Sequence, residues 1–263
     1  MKYAFFFSIF FLVFVSSCTG IHNKLFKNSK EKSEPSLQGK AFSIISAIQK
    51  RNSSLRTFKG LGKISLSNNG ESLNARVAWV GSYPNQLRFE ILGIGGHPLL
   101  SFSFNNDQQF FISHTDKTFY HRKDTDADLE DLTAISIKLN DIMKLLTGRI
   151  PVYEYFDFEI IEDSSGTGRI LVLKNKWTGV CEKLYLDEEN TKIYKIEVFG
   201  LIGGLTYRAV FDGGMEIESM EVPSKLTLTD GNGASLSLRI DRYLKNIPVS
   251  SSVFVLEPPP SDN

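Results

Sequence analysis

The sequence predicts a mainly β domain with helices (α+β), built as a strongly curved antiparallel half-barrel with a helical lid. Three observations carry this reading. Between residues 56 and 240, most stretches between turns alternate apolar and polar residues, the period of a half-buried strand. Phenylalanine is abundant, 20 in 263 residues, and many of these fall on alternating strands, as a sheet with one large apolar face requires. One segment, 123–151, breaks into a helical period between two runs of strands and should lie across the mouth or concave face of the sheet.

The totals suit a single large β domain. An apolar content of 41% with a net charge of zero is that of a globular chain. Nucleic-acid binding is not supported, because no basic excess exists to meet a phosphate backbone. Cys18 and Cys181 are the only cysteines, and zinc-type spacing of Cys and His is missing.

Residues 1–17 read as a secretory signal, with Lys2 as the basic start and Ala4 to Val15 as the apolar run. That run is shorter than the about 20 residues a membrane-spanning helix needs. It ends in Val15-Ser16-Ser17-Cys18, which resembles the bacterial lipobox, so Cys18 is the expected lipidated first residue of the mature chain. An ordinary secretory signal with an incidental cysteine is the alternative. Thr19, where lipoproteins kept in the inner membrane often carry Asp, favours the outer membrane. Residues 18–36, polar and Lys- and Ser-rich, read as a tether reaching roughly 20–25 Å at about 5–6 Å × √n.

The domain proper is expected over 37–257, before a Pro-rich tail at 258–263. A helix is predicted from Ser36 to Asn52, with Ser36 as N-cap and Phe42, Ile45 and Ile48 on its apolar face. Strands follow, many joined as hairpins. Gly60 and Gly62 within the first of them mark a strand bent hard. From Leu87 to Phe104, two alternating strands flank Gly93-Ile94-Gly95-Gly96-His97-Pro98. A glycine-rich turn normally carries polar residues, so Ile94 at its tip is read as a contact with something apolar outside the molecule, membrane or cargo.

Leu139, Ile142, Met143, Leu145 and Leu146 give the second helix its apolar face, and Gly148 suits its C′ position before Pro151. Strands resume from Tyr155 to Ile240, with a last tight hairpin at Asp230-Gly231-Asn232-Gly233. Val253 to Leu256 could add one edge strand.

Other constellations weigh less. Asp124, Asp126 and Asp128 imitate the start of a calcium loop, but Leu129 and Ile135 stand where glycine and glutamate belong. His114, Asp116 and His121 fit no metal-ligand spacing and read as surface residues. Cys181 reads as a buried structural cysteine. With no Gly-x-Ser-x-Gly elbow and no phosphate-binding loop, an enzyme is the weakest class, and neither cofactor nor metal is expected.

Several blocks in series resemble the family of the outer-membrane lipoprotein receptor LolB. Phe58-Lys59-Gly60-Leu61-Gly62 followed by Ala75-Arg76-Val77-Ala78-Trp79 is similar to its first strand pair, and Arg88 through Leu100 to its third strand, loop and fourth strand. Leu145-Leu146-Thr147-Gly148-Arg149-Ile150-Pro151 resembles the end of its lid helix. Pro223 through Gly231 and Leu236 through Asp241 resemble its closing hairpin. The loop departs from the family's Pro-Leu-Gly character, and the tail after Tyr243 is longer.

The resemblance implies an unclosed sheet covered by helices around an apolar cavity. It implies a monomer that receives acylated lipoprotein cargo from a periplasmic LolA-like carrier and delivers it to outer-membrane lipids. The expected cavity residues are Trp79, Leu87, Phe89, Ile91, Leu100, Phe102, Ile142, Leu145, Leu146, Leu226, Leu228 and Leu238. Any one of them could instead be ordinary core. An outer-membrane assembly lipoprotein that grips a protein partner with the same half-barrel is the second expectation.

Overall fold

Alternation gives each strand one apolar face, and thirteen such faces combine into one concave surface. The computed structural model describes residues 35–124, 128–165, 168–189 and 192–259. The expected signal 1–17, Cys18, the tether up to residue 34 and residues 260–263 lie outside them.

The chain lays down β1 (Thr57–Asn68), β2 (Glu71–Ser82), β3 (Gln86–Leu92), β4 (Pro98–Asn105), β5 (Gln108–Ser113) and β6 (Thr118–Lys123) as a meander. Two helices intervene, α2 (Glu130–Thr133) and α3 (Leu139–Leu146). A second meander follows: β7 (Asp157–Glu162), β8 (Arg169–Asn175), β9 (Gly179–Leu186), β10 (Ile193–Phe199), β11 (Leu205–Ile217), β12 (Met220–Thr229) and β13 (Ser235–Lys245). β13 returns to pair with β1, giving one 13-stranded antiparallel sheet in the order β6-β5-β4-β3-β2-β1-β13-β12-β11-β10-β9-β8-β7. The sheet is unclosed, its edges being β6 and β7. His121, Arg122 and Lys123 on β6, and Asp157, Glu159 and Glu162 on β7, place charge on both edges, which discourages further pairing.

Register aligns the apolar residues into rows. Leu66 pairs with Leu236, Leu236 with Leu228, Leu228 with Ala209, and the row continues through Ile196, Leu184 and Leu171 to Ile160. A second row runs from Gly60 through Trp79, Phe89, Phe102 and Phe111 to Tyr120. Glycine is needed at its start. A Cβ on Gly60 would lie 2.0 Å from Trp79 Cζ2, and one on Gly81 would lie 2.2 Å from Phe58 Cζ. Each glycine lets a cross-strand aromatic ring lie flat on the backbone, and a bulge between Leu61 and Gly62 adds a bend beside them.

The first helix, α1, runs Pro35–Lys50. Its buried stripe is Ala41, Ile45 and Ile48, spaced i, i+4, i+7, whereas Phe42 is exposed. Ile45 and Ile48 are buried as expected, and Ala41 stands on the buried face where Phe42 was expected. Ser36 lies inside the helix, not at its N-cap, because Pro35, which has no N–H to lose, already occupies the first turn. The segment after α3 is locked by Arg149, whose guanidinium donates to the carbonyls of Asn52, Ser53 and Leu55 and stacks over Tyr83 at 3.9 Å.

Val253 to Leu256 do not form the expected edge strand. Ser251–Phe254 is a 3-10 turn whose chain is held by Arg88 and Ser103, which donate to the carbonyls of Val253 and Phe254. Phe254 is fully buried there. Arg88 and Ser103 face away from the Phe89–Phe102 row, so the tail covers the convex face of β3 and β4.

Candidate functional site

The concave face is covered in two ways. On the β8–β11 side, α3 is pinned by a buried polar cluster. Tyr207 on β11 donates to Asp141 on α3 at 3.0 Å, and Tyr153 donates to the same carboxylate oxygen. Glu182 on β9 accepts from the Tyr153 backbone N–H at 3.1 Å, and its other oxygen, Oε1, has no partner among the described residues. Burial pushes the Glu182 carboxyl up to about 8, so it is mostly protonated at neutral pH. Burial, then the Asp141 charge, pushes both tyrosines well above the ordinary phenol range.

On the other side, between α2, α3 and the strands β1–β4, β12 and β13, the face is not filled. A cavity of about 120 Å³ remains, bounded by Ile64, Leu66, Leu73, Val77, Phe89, Ile91, Leu100, Phe102, Leu226, Leu228, Leu236 and Leu238 from the sheet. Leu129, Leu132, Thr133, Ile137, Ile142 and Leu146 close it from the lid. Thr133 brings the only side-chain hydroxyl, and it donates to the carbonyl of Leu129 at 2.8 Å. The cavity therefore has no polar side-chain atom free to fix a polar substrate.

Nine of the twelve residues expected at a cavity line this one: Phe89, Ile91, Leu100, Phe102, Ile142, Leu146, Leu226, Leu228 and Leu238. Trp79, Leu87 and Leu145 do not; all three are buried in the core. Trp79 and Leu87 share the cavity's face but sit at the far end of their strands. Leu145 is one position off the Ile142–Leu146 stripe of α3. Leu129, Leu132 and Ile137 were missed because the 128–137 segment is too short and irregular to show a period. It closes on itself, with an isolated antiparallel β-bridge of the backbone between Asp128 and Lys138 and a hydrogen bond from the Leu129 N–H to the Ile137 carbonyl.

Ile94 is fully exposed at its loop tip, 106% of the reference area. The loop has an internal frame, Gly93 N–H to His97 O at 2.9 Å and Gly96 N–H to Gly93 O at 3.0 Å. Cys181 is buried, its thiol 3.3 Å from the Leu173 carbonyl, and burial pushes its pKa up. His114 meets Ser101, His121 meets Gln108 and Asp116 meets Ser113, so the three do not converge. Among the described residues no group of three or more His, Cys, Asp or Glu is placed to hold a metal. Of the calcium-like run, Asp126 lies outside them.

A LolA superfamily protein from Nitrosomonas europaea matches this architecture with a TM-score of 0.55, over 82% of this chain and 97% of that one, at 14% identity. The fold is LolA-like. A DUF1329 family protein from Desulfovibrio piger gives a TM-score of 0.60 over 82% and 96% of the two chains at 8% identity. A domain from Vibrio parahaemolyticus described as an outer membrane lipoprotein-sorting protein gives 0.51 over 82% and 96% at 14% identity. No protein-family model and no curated protein matches the sequence. At these identities the likeness extends to the LolA-like fold, and the LolB family in particular is not singled out.

Proposed function

We propose that this protein handles acyl chains in the bacterial envelope, taking lipoprotein cargo into its LolA-like half-barrel from a periplasmic carrier and passing it to the outer membrane. The observation that carries this reading is the apolar cavity under the lid, lined by aliphatic and aromatic side chains from six strands and both lid helices. The fold shared with a lipoprotein-sorting domain supports it, as does the resemblance of Val15-Ser16-Ser17-Cys18 to a lipobox.

The physics fits such a role. An acyl chain in water costs about 0.8 kcal/mol per CH₂, on the order of 12 kcal/mol for a long chain. Spontaneous release is then very slow, and cargo must pass from one apolar cavity to another. Such an exchange is close to thermoneutral. At about 120 Å³ the cavity is below the about 300–1,000 Å³ typical of ligand pockets, so an incoming chain must displace part of the lid. The 128–137 segment is suited to this: it supplies four lining residues and is held together by hydrogen bonds of its own.

The test is to mix the protein with a carrier loaded with acylated lipoprotein and follow the cargo. Movement of cargo to this protein is expected, with acyl chains detected on it by native mass spectrometry; failure of both counts against the reading. The small volume favours a second one, in which the half-barrel of an assembly lipoprotein, its cavity too small for an acyl chain, grips a protein partner and binds no lipid.

A further inference from the structure

Because β1, β3, β5, β8, β10 and β12 run in the same direction, the turns that follow them all lie at one end of the sheet. Three of these turns carry bare apolar tips. The β3–β4 turn presents Ile94, the β10–β11 turn presents Leu201 and Ile202 at 84% and 99% exposure, and the β8–β9 turn presents Trp177 at 84%. The first two are built alike. Gly200 N–H reaches Gly204 O at 2.8 Å and Gly203 N–H reaches Gly200 O at 2.9 Å, the same pair of bonds that frames Ile94. Gly96 and Gly203 take equivalent left-handed conformations, φ +78° and +80°. Two turns on opposite halves of the sheet thus share one design, a glycine frame holding aliphatic side chains out into solvent.

We propose that these three turns form a rim that docks the protein on a lipid bilayer, with the tips seated among the acyl-chain ends of the headgroup region. Four observations select a bilayer over a protein partner. The tips stand on separate turns and leave no continuous face for a rigid partner, whereas a fluid interface closes around each one. The two glycine-framed turns each hold two N–H groups in internal bonds, and the Asn175 carboxamide oxygen accepts from the Trp177 N–H, which lowers the desolvation cost of their entry.

The composition is also interfacial. Lys176 Nζ lies 5.3 Å from the Trp177 ring centre and 5.8 Å from that of exposed Phe156, an aromatic pair with a cation free to reach phosphate. Charge is distributed to match. None of the three turns contains a carboxylate, and this end of the sheet carries Asp116 and Asp230 on its other turns, whereas the opposite end carries Asp107, Asp163, Asp187, Glu188 and Glu218 on its turns. An anionic leaflet repels that acidic end and accepts the rim. The cavity residues come from the portions of β1–β4, β12 and β13 toward this same end, so a docked rim brings the cavity beside the bilayer. The inference extends the acyl-chain reading but does not need the cavity to be occupied.

Trp177 makes the test direct, because Trp79, the only other tryptophan, is buried. The full chain is reconstituted into vesicles of phosphatidylethanolamine and phosphatidylglycerol with brominated acyl chains. Tryptophan emission should fall about twofold relative to unbrominated vesicles, and Trp177→Phe should abolish the difference. Leu201→Asp with Ile202→Asp should restore most of the emission while leaving the melting temperature unchanged, since both side chains are already in water. Emission indifferent to bromination, with Trp177 as open to aqueous iodide on vesicles as in solution, overturns the proposal. Bromine quenching without any cargo transfer would leave the rim standing and remove the transfer reading alone.

Discussion

The Tyr207 hydroxyl donates to the Asp141 carboxylate at 3.0 Å, tying the lid helix α3 to strand β11 beneath it. Because Asp141 sits in the core and Tyr207 is almost wholly buried, this bond joins two groups that water cannot serve instead. Removing one partner leaves the other short of a hydrogen bond in a low-dielectric site. Tyr207→Phe is expected to lower unfolding free energy by about 1.5–3 kcal/mol, the range for bonds to charged groups. Urea denaturation measures it, and a loss within error of zero would mean that the cluster does not hold the lid.

Glu182 imposes a pH dependence with a definite sign. Its folded-state pKa, pushed up to about 8 by burial, lies above the unfolded value near 4.5. Between those values the folded state binds more protons than the unfolded state, so stability is fully present below about pH 4.5 and declines as pH rises toward 8. Glu182→Gln, neutral at every pH, should flatten this window, with the variant gaining on the parent by on the order of a few kcal/mol by pH 8. Equal slopes for the two proteins, from denaturation at pH 5, 6.5 and 8, would contradict the assignment.

Gly60→Ala puts a methyl group where the Trp79 ring lies, 2.0 Å from Cζ2. Strand backbone and ring must part, at a cost of about 1–3 kcal/mol. Gly39→Ala is the matched control. In α1, with nothing within 4 Å of the added carbon, it should raise stability by about 0.5–1 kcal/mol. The opposite signs, read in one thermal or urea series, separate close approach from chain entropy.

Leu66→Trp tests where an acyl chain goes. Leu66 lines the cavity from β1 and is only partly buried, so an indole can turn into the empty space without opening the sheet. Affinity for a fluorescent fatty acid is expected to fall at least about tenfold, equivalent to about 1.4 kcal/mol. Unchanged affinity would place the chain elsewhere.

Much of this architecture is legible in one dimension. Strict alternation marks the strands and their apolar face, and Gly148 marks the end of α3. The hairpin at Leu87–Phe104 announces Ile94. The Gly200–Gly204 turn carried the same signal, aliphatic residues inside a glycine frame, and could have been found by comparing the two glycine clusters. Phe42 misled because positions 41 and 42, four and three residues before Ile45, both fall near the Ile45–Ile48 stripe, and period alone does not choose between them.

Period and composition report which face a residue occupies, and these are local properties of the backbone. They carry no information about height along a strand, which depends on the register of pairings between residues far apart in sequence. Val77 and Trp79 stand two residues apart on one face of β2, yet Val77 borders the cavity and Trp79 is packed into solid core beyond it. The same long-range pairing brings Ile94, Trp177 and Leu201, about eighty and about twenty-five residues apart, to one end of the sheet. It also lays the tail at Val253–Phe254 over a convex face, where Ser103 and Arg88 capture the carbonyls of a strand-like stretch. Which residues are apolar is written in the chain; where the space between them is left open follows from how thirteen strands align.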